Sequence, residues 1–172
     1  MKYISAITFR DEPLLLETIN VLKQEFGDTD FETPVFAFDH STYYEKEMGL
    51  QLSKKILSFQ PLDQIDLLVT RKLFTSKLEK EFAVDGKRRV NIDPAYLELA
   101  KLVVATTKNY DHRIHLGDGI YGDVQLRYRG RKFVANDWTY PDYRSAIFMQ
   151  FLEKVRDIYF NQLRLLDDGH YL

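Results

Sequence analysis

The segment from residue 113 to residue 134 has the pattern that most constrains the fold. Two glycine sites, Gly117-Asp118-Gly119 and Gly130, separate three extended stretches, an order typical of antiparallel hairpins. The middle stretch alternates in polarity, which predicts a strand with one apolar and one polar face. The apolar set is Ile120, Val124, Leu126 and Tyr128, and the polar set is Tyr121, Asp123, Gln125 and Arg127. The sequence therefore predicts a three-stranded meander that presents a polar surface.

Four other segments have apolar residues at helical spacing. The first helix is predicted between Asp11, a suitable N-cap, and Gly27, a suitable stop. The others are residues 63–82, residues 94–107 and a long helix that opens at Pro141-Asp142. We expect the following residues to be buried on helical stripes: Leu15, Ile19, Leu22, Phe26, Leu102, Ile147, Phe151, Val155 and Ile158. Residues 3–9, 35–38, 53–59 and 89–92 are predicted strands.

These patterns predict an α+β fold, with a single sheet of mixed or antiparallel strands and about four main helices packed on one of its faces. A chain of 172 residues has the size of one ordinary domain. We expect this domain to cover residues 1–166, with a frayed tail at residues 167–172. The apolar share of 45 % is high enough to drive folding.

Composition excludes several classes of protein. The chain has no cysteine, which excludes disulfides, thiol nucleophiles and thiolate zinc sites. Residues 1–10 lack the features of a signal peptide, and no apolar run approaches the roughly 18 residues that a bilayer span needs. We therefore expect a cytoplasmic protein without membrane contact. The net charge of −2 gives no general attraction to nucleic acid, so any such binding must be local.

One polar cluster is predicted where the 94–107 helix would end and a strand begin. Lys101, Lys108, His112 and Arg113, together with Arg127, could hold a phosphate or carboxylate, since Arg offers a bidentate fork and Lys a point charge. The alternative is that Lys108 and His112 cap the free carbonyls of the helix. Lys101 would interrupt an apolar helix, so it needs a partner, and Glu98 is one candidate.

A second cluster contains Asp39, His40, Tyr43, Tyr44 and Glu47. Tyr43 and Glu47 are four residues apart and would share a helix face, so both could point into a cleft; helix capping by Asp39 or Ser41 is the alternative for the start of this cluster. Three further aromatic residues, Trp138, Tyr140 and Tyr143, could stack on a nucleobase or lie partly buried in the core.

Metal and cofactor sites are not predicted. His112 and His115 are three positions apart, an odd spacing, so on one strand their rings would point to opposite faces and would be poor joint ligands for one ion.

Five stretches, taken in order, resemble a known bacterial family. They are residues 39–49 (DHSTYYEKEMG), 90–97 (VNIDPAYL), 101–110 (KLVVATTKNY), 112–121 (HRIHLGDGIY) and 138–143 (WTYPDY). Together they resemble the family called domain of unknown function 4416, and the resemblance covers nearly the whole chain. The resemblance implies no established activity, although members are sometimes labelled GTP-binding proteins. The chain lacks a Gly-x-x-x-x-Gly-Lys-Ser/Thr motif, so we predict no GTP site of the P-loop type.

Two functions follow as hypotheses. The first is a binding domain or enzyme for a phosphate-bearing ligand, a nucleotide or RNA, that uses the basic and histidine cluster. The alternative is a non-catalytic protein that self-associates into homo-oligomers through the 121–134 hairpin or the last helix. A binding protein should bring its basic residues into one concave pocket, whereas an interaction protein should spread them over a flat surface.

Overall fold

The computed structural model describes residues 1–39 and 44–168. The strands are β1 (Lys2–Phe9), β2 (Thr29–Glu32), β3 (Phe36–Ala37), β4 (Ser53–Leu62), β5 (Val90–Leu97), β6 (Lys101–Thr106), β7 (Ile114–Gly117), β8 (Ile120–Arg129) and β9 (Lys132–Ala135). The helices are α1 (Glu12–Phe26), α2 (Glu45–Met48), α3 (Leu67–Glu81) and α4 (Ala146–Asp168), and a 3₁₀ turn (Pro141–Arg144) precedes α4. This is the predicted α+β fold.

Within the described residues the strands form one nine-stranded sheet in the order β2-β4-β1-β5-β6-β8-β7, with β3 beside β4 and β9 beside β8. Every strand pair in this sheet for which the register is defined is antiparallel. The two glycine turns that the sequence predicts are present, since Asp118 and Gly119 have φ angles of 48° and 72° and Gly130 has one of 56°. The predicted meander is therefore confirmed.

The helices lie on both faces of the sheet, so the expectation that they cover one face is wrong. Alternate side chains of β1 enter two different apolar clusters. Tyr3, Ile7 and Phe9 pack with residues of α1 and α3, whereas Ile4 and Ala6 pack with residues of α4. Because successive side chains on a strand point to opposite faces, α4 covers the face opposite to α1 and α3.

The predicted helical stripes are largely correct. Asp11 caps α1 through its side chain, which accepts the Leu14 N–H. On the helices, Leu15, Leu22, Phe26, Phe151 and Val155 are buried as predicted, while Ile19, Ile147 and Ile158 are partly buried. Leu102 is also buried, but it lies in β6 and not on a helix. The buried stripe of α4 is rotated by about one residue, onto Phe148, Leu152 and Tyr159. The helix starts at Ala146, after the 3₁₀ turn, and not at Pro141.

The predicted helix at residues 94–107 is wrong, because this segment forms β5 and β6. Both strands lie in the middle of the sheet and are covered on both faces. Their apolar runs are therefore continuous, and periodicity alone does not separate such a run from a buried helix. Pro94 fits in β5 because it pairs with Ser5 of β1 just before the pairing with β6 begins at Ala95.

A β-bulge interrupts the predicted alternation of β8. Leu102 of β6 pairs with Leu126, but the next residue, Val103, pairs with Val124, so Gln125 is the extra residue on β8. As a result Val124 packs on the α1 and α3 side of the sheet and Leu126 on the α4 side. The prediction that these two residues share a face is therefore wrong.

The remaining differences concern short segments and the end of the chain. Strand β2 was not predicted, and the 35–38 strand is reduced to β3. The predicted tail from residue 167 lies partly outside the described residues, which end at Asp168. No described helix is both long enough and apolar enough to span a bilayer.

Candidate functional site

The two central strands β5 and β6 separate at one end. In the described strands their pairing covers only residues 95–97 and 102–104. At Ile92, side chains of α3 supply the hydrogen bonds that a neighbouring strand would otherwise make. The Glu79 carboxylate accepts the Ile92 N–H at 2.7 Å, and the Lys72 ammonium donates to the Ile92 carbonyl at 3.0 Å. Glu79 and Lys72 are seven residues apart, about two turns, and so share one face of α3. The sheet is therefore split at this end without leaving the Ile92 backbone unsatisfied.

A cavity of about 440 Å³ lies at this split, a volume in the range of small-molecule sites. The cations on its described wall are Lys54, Lys72, Arg88, Lys108 and Arg113, and the carboxylates are Glu79, Asp93, Asp123 and Asp142. The aromatic residues on this wall are Phe38, Tyr44, Tyr110, Tyr140 and Tyr143. Charged and aromatic groups from three strands, α3, the 3₁₀ turn and several connecting segments thus converge on one concave site.

Lys54 and Asp142 form a buried ion pair on one side of the cavity. The Lys54 ammonium donates to Asp142 Oδ2, and only 4 % and 8 % of the two side chains are exposed. The same ammonium lies 4.4 Å from the centre of the Phe38 ring. Because Lys54 belongs to β4 and Asp142 to the 3₁₀ turn, the pair ties the turn to the sheet. Burial also raises the pKa of the neighbouring Tyr143 hydroxyl well above its ordinary value.

Arg113 connects several other parts of the cavity wall. Its Nε donates to Asp123 Oδ2 at 2.7 Å, its Nη1 to the Lys108 carbonyl at 3.0 Å and its Nη2 to the Tyr140 hydroxyl at 2.7 Å. Its guanidinium also lies 4.3 Å from the centre of the Tyr110 ring. A single buried guanidinium therefore holds the loop after β6, strand β8 and the segment before α4 in fixed relation.

His112 supports this arrangement from behind the cavity wall. Its Nε2 lies 3.2 Å from Asp123 Oδ2, the oxygen that Arg113 also contacts, and its Nδ1 lies 3.1 Å from Asp111. Its ring stacks on Trp138 with centroids 5.0 Å apart. His112 thus orients Asp123.

Two of the residues predicted to bind an anion, Lys108 and Arg113, line the cavity. Lys101 and Arg127 do not belong to the described wall. They pair with each other in register at the far end of β6 and β8, about 16 Å from Thr106 at 3.3 Å per residue. Lys101 forms an ion pair with Glu98, the partner the sequence suggests, but across the turn between two strands and not along a helix.

The second predicted cluster is only partly described. Tyr43 lies outside the described residues. Glu47 accepts hydrogen bonds from Arg88 Nε at 2.9 Å and Nη2 at 2.7 Å, so it holds a cation of the cavity wall without lining the cavity itself. Helix capping at the 94–107 segment, the alternative explanation for Lys108 and His112, does not apply because that helix is absent from the described fold.

Five residues of the wall, Lys54, Lys72, Glu79, Arg88 and Asp142, were not predicted to belong to a site. One sequence signal pointed to part of this set: Lys72 lies on the buried stripe of α3, where a cation needs a partner. In residues 1–39 and 44–168 no group of three or more His, Cys, Asp or Glu residues is positioned to hold a metal ion.

Arg88 bridges two carboxylates whose pKa values shift in opposite directions. The hydrogen bonds from Arg88 lower the pKa of Glu47 below its ordinary value of 4.5. Burial raises the pKa of Glu79 above the same value. Ionised Glu47 therefore stabilises the fold above pH 4.5, and this contribution is lost as the pH falls through its lowered pKa. Protonated Glu79 behaves in the opposite way, because its contribution is lost as the pH rises through its raised pKa.

We expect Glu47→Gln and Glu79→Gln to change the pH dependence of stability in opposite directions. Relative to the wild type, Glu79→Gln should gain free energy of unfolding as the pH rises from 4.5, and Glu47→Gln should lose it as the pH rises towards 4.5. Urea unfolding across a pH series measures both differences. Changes of the same sign for the two variants would contradict this account of the pair.

Comparison with known proteins places the chain in a family. The model of the family described as domain of unknown function (DUF4416) matches residues 1–159, which is most of the chain. No curated protein and no solved structure matches this sequence significantly. The matched range contains every described element up to most of α4, and all residues of the cavity wall. The chain therefore belongs to the family of domain of unknown function 4416.

Proposed function

We propose that this protein binds a small phosphate-bearing molecule, of about the size of a mononucleotide, in the cavity between β5 and β6. One observation carries the proposal: five cationic side chains and five aromatic rings line a single cavity of about 440 Å³. Sites for small molecules are mostly concave, with apolar surface and a few charged groups that fix the orientation of the ligand.

Four of the cations, Lys54, Lys72, Arg88 and Arg113, are paired with carboxylates, and Lys54 retains donors for a phosphate. The ammonium of Lys54 has three N–H groups, and its hydrogen bond in the described structure goes to Asp142. Arg113, by contrast, uses four of its five N–H groups, on Asp123, Thr106, the Lys108 carbonyl and Tyr140, so it mainly holds the wall in place. Charge-assisted bonds from Lys54 and the other cations would hold a phosphate, and the carboxylates fix the cations in position.

The geometry favours a small ligand over an RNA chain. Binding of single-stranded RNA requires a continuous basic track along the backbone. The basic residues of the β8–β9 hairpin, Arg127, Arg129, Arg131 and Lys132, are not part of the described cavity wall and lie four to nine residues beyond Asp123. The hairpin and the cavity therefore do not form one track in the described structure.

Convergence also favours binding over self-association. The two functions differ in whether the basic residues meet in one pocket, and Lys108 and Arg113 meet there with three cations from distant parts of the chain. Self-association through the hairpin or α4 stays a prediction.

NMR mapping with ribose 5-phosphate tests the proposal. Saturable shifts in backbone amide signals should cluster around the cavity, at residues such as Asn91, Thr106, Gln125 and Asp142. Ribose without the phosphate is the control and should give shifts at least tenfold smaller at the same concentration. Shifts centred on residues 129–132, or no saturable shift, would contradict the proposal.

A further inference from the structure

We propose further that Asp123 and Gln125 recognise the uncharged end of the same ligand, through an N–H donor that lies beside an acceptor on a planar group. Nucleobases and carboxamides share this chemistry. This inference rests on the proposed binding function and adds what the ligand must carry besides its phosphate.

The first observation is that one carboxylate oxygen of Asp123 has no hydrogen-bond partner among the described residues. Asp123 is 1 % exposed, and its Oδ2 receives Arg113 Nε at 2.7 Å and faces His112 Nε2 at 3.2 Å. Its Oδ1 is buried and has no hydrogen-bond partner among the described residues, although Asp123 lines the cavity. A buried acceptor without a donor is costly, so a ligand that supplies an N–H would remove an existing penalty.

The second observation is that the side-chain amide of Gln125, two residues away, has an N–H group without an acceptor among the described residues. Gln125 is fully buried and lines the cavity. Its Oε1 accepts the Tyr140 backbone N–H at 2.9 Å, which fixes the orientation of the amide, because a backbone N–H only donates. Its Nε2 is buried and has no acceptor among the described residues. The amide therefore offers a donor to a ligand carbonyl or ring nitrogen.

Asp123 and Gln125 are two residues apart on β8, a spacing that directs both side chains to one face of the strand, and both line the cavity. Gln125 is also the extra residue of the β8 bulge, a local irregularity that is often found next to functional sites. Natural folds rarely leave an acceptor and a donor buried and unpaired so close in sequence without a partner molecule. The rings of Tyr140 and Tyr143 on the same wall favour a flat group at this end of the cavity over a sugar hydroxyl.

The test compares ligands that share the phosphate and differ at the other end. The probes are ribose 5-phosphate, the four common nucleoside 5′-monophosphates and reduced nicotinamide mononucleotide, whose ring is uncharged, each titrated calorimetrically into the full chain. At least one of the ring-bearing ligands should bind at least tenfold more tightly than ribose 5-phosphate. Preference for reduced nicotinamide mononucleotide identifies a carboxamide, and preference for another identifies a nucleobase.

Two variants locate the preference. Asp123→Asn replaces the free acceptor by a donor, and Gln125→Glu replaces the free donor by an acceptor while keeping an oxygen for the Tyr140 N–H. Each variant should reduce the ratio of the dissociation constant of ribose 5-phosphate to that of the preferred ligand to about one. Because both ligands carry the phosphate, this ratio cancels any change in phosphate affinity caused by the altered charge. Equal binding of ribose 5-phosphate and every planar ligand, or a ratio that survives both variants, overturns the inference alone. Absence of binding by all probes overturns the proposed function as well.

Discussion

Replacing Asp142 by alanine should lower the free energy of unfolding by about 3–5 kcal/mol, the usual cost of removing one partner of a buried ion pair. The reason is that the Lys54 ammonium, 4 % exposed, would remain in the fold without its carboxylate. The substitution would also release the 3₁₀ turn from β4. Urea unfolding followed by circular dichroism measures the effect.

Two further variants separate the ion pair from general effects of mutation. Lys54→Met combined with Asp142→Leu removes both charges and should recover most of the lost stability, because apolar replacements of a buried pair are often neutral. Glu98→Ala breaks the more exposed pair with Lys101 and should cost no more than about 1 kcal/mol. A cost for Asp142→Ala as small as that of Glu98→Ala would show that the buried pair does not stabilise the fold.

Local sequence signals predicted the parts of the fold that depend on local chemistry. Asp11 and Gly27 mark the two ends of α1. An N-cap side chain and a C-terminal glycine both act within one turn of the helix, so the sequence reveals them. Gly119 and Gly130 adopt positive φ angles at hairpin turns, which few other residues accept at low cost. The α+β class followed from these elements.

The same reasoning failed where the environment decides the structure. The sequence predicts a helix at residues 94–107 because an apolar run that is buried on both faces lacks the periodicity that would distinguish a strand from a helix. The bulge at Gln125 depends on how β6 and β8 pair, and the residue type at this position does not predict it. Hence Val124 and Leu126 were placed on one face of the sheet, although they lie on opposite faces.

Only part of the cavity wall could be predicted from the sequence, for a related reason. Lys108, His112 and Arg113 are close in sequence, so their clustering could be seen directly. Lys54 and Arg88 reach the cavity from β4 and from the loop before β5, and only the sheet order brings them there. Lys101 was expected near the cluster because residues 94–107 were predicted to form a helix, and Arg127 was predicted on the polar face of a strand. Strand pairing puts both at the other end of β6.

Lys108→Ala should weaken the binding of ribose 5-phosphate by about 10- to 100-fold, because a hydrogen bond to a charged group contributes about 1.5–3 kcal/mol. Lys108 lies on the cavity wall, in the loop after β6, and is only partly buried. The substitution should therefore leave the melting temperature within a few degrees of the wild type. Lys101→Ala is the matched control, since Lys101 lies at the opposite end of the same strand and outside the described cavity wall.

Calorimetric titration of ribose 5-phosphate into the wild type, Lys108→Ala and Lys101→Ala tests the central claim most directly. The cavity site predicts that Lys108→Ala loses at least tenfold in affinity while Lys101→Ala binds like the wild type. If the two variants bind equally well, or if Lys101→Ala is the weaker of the two, the phosphate does not bind in the cavity between β5 and β6.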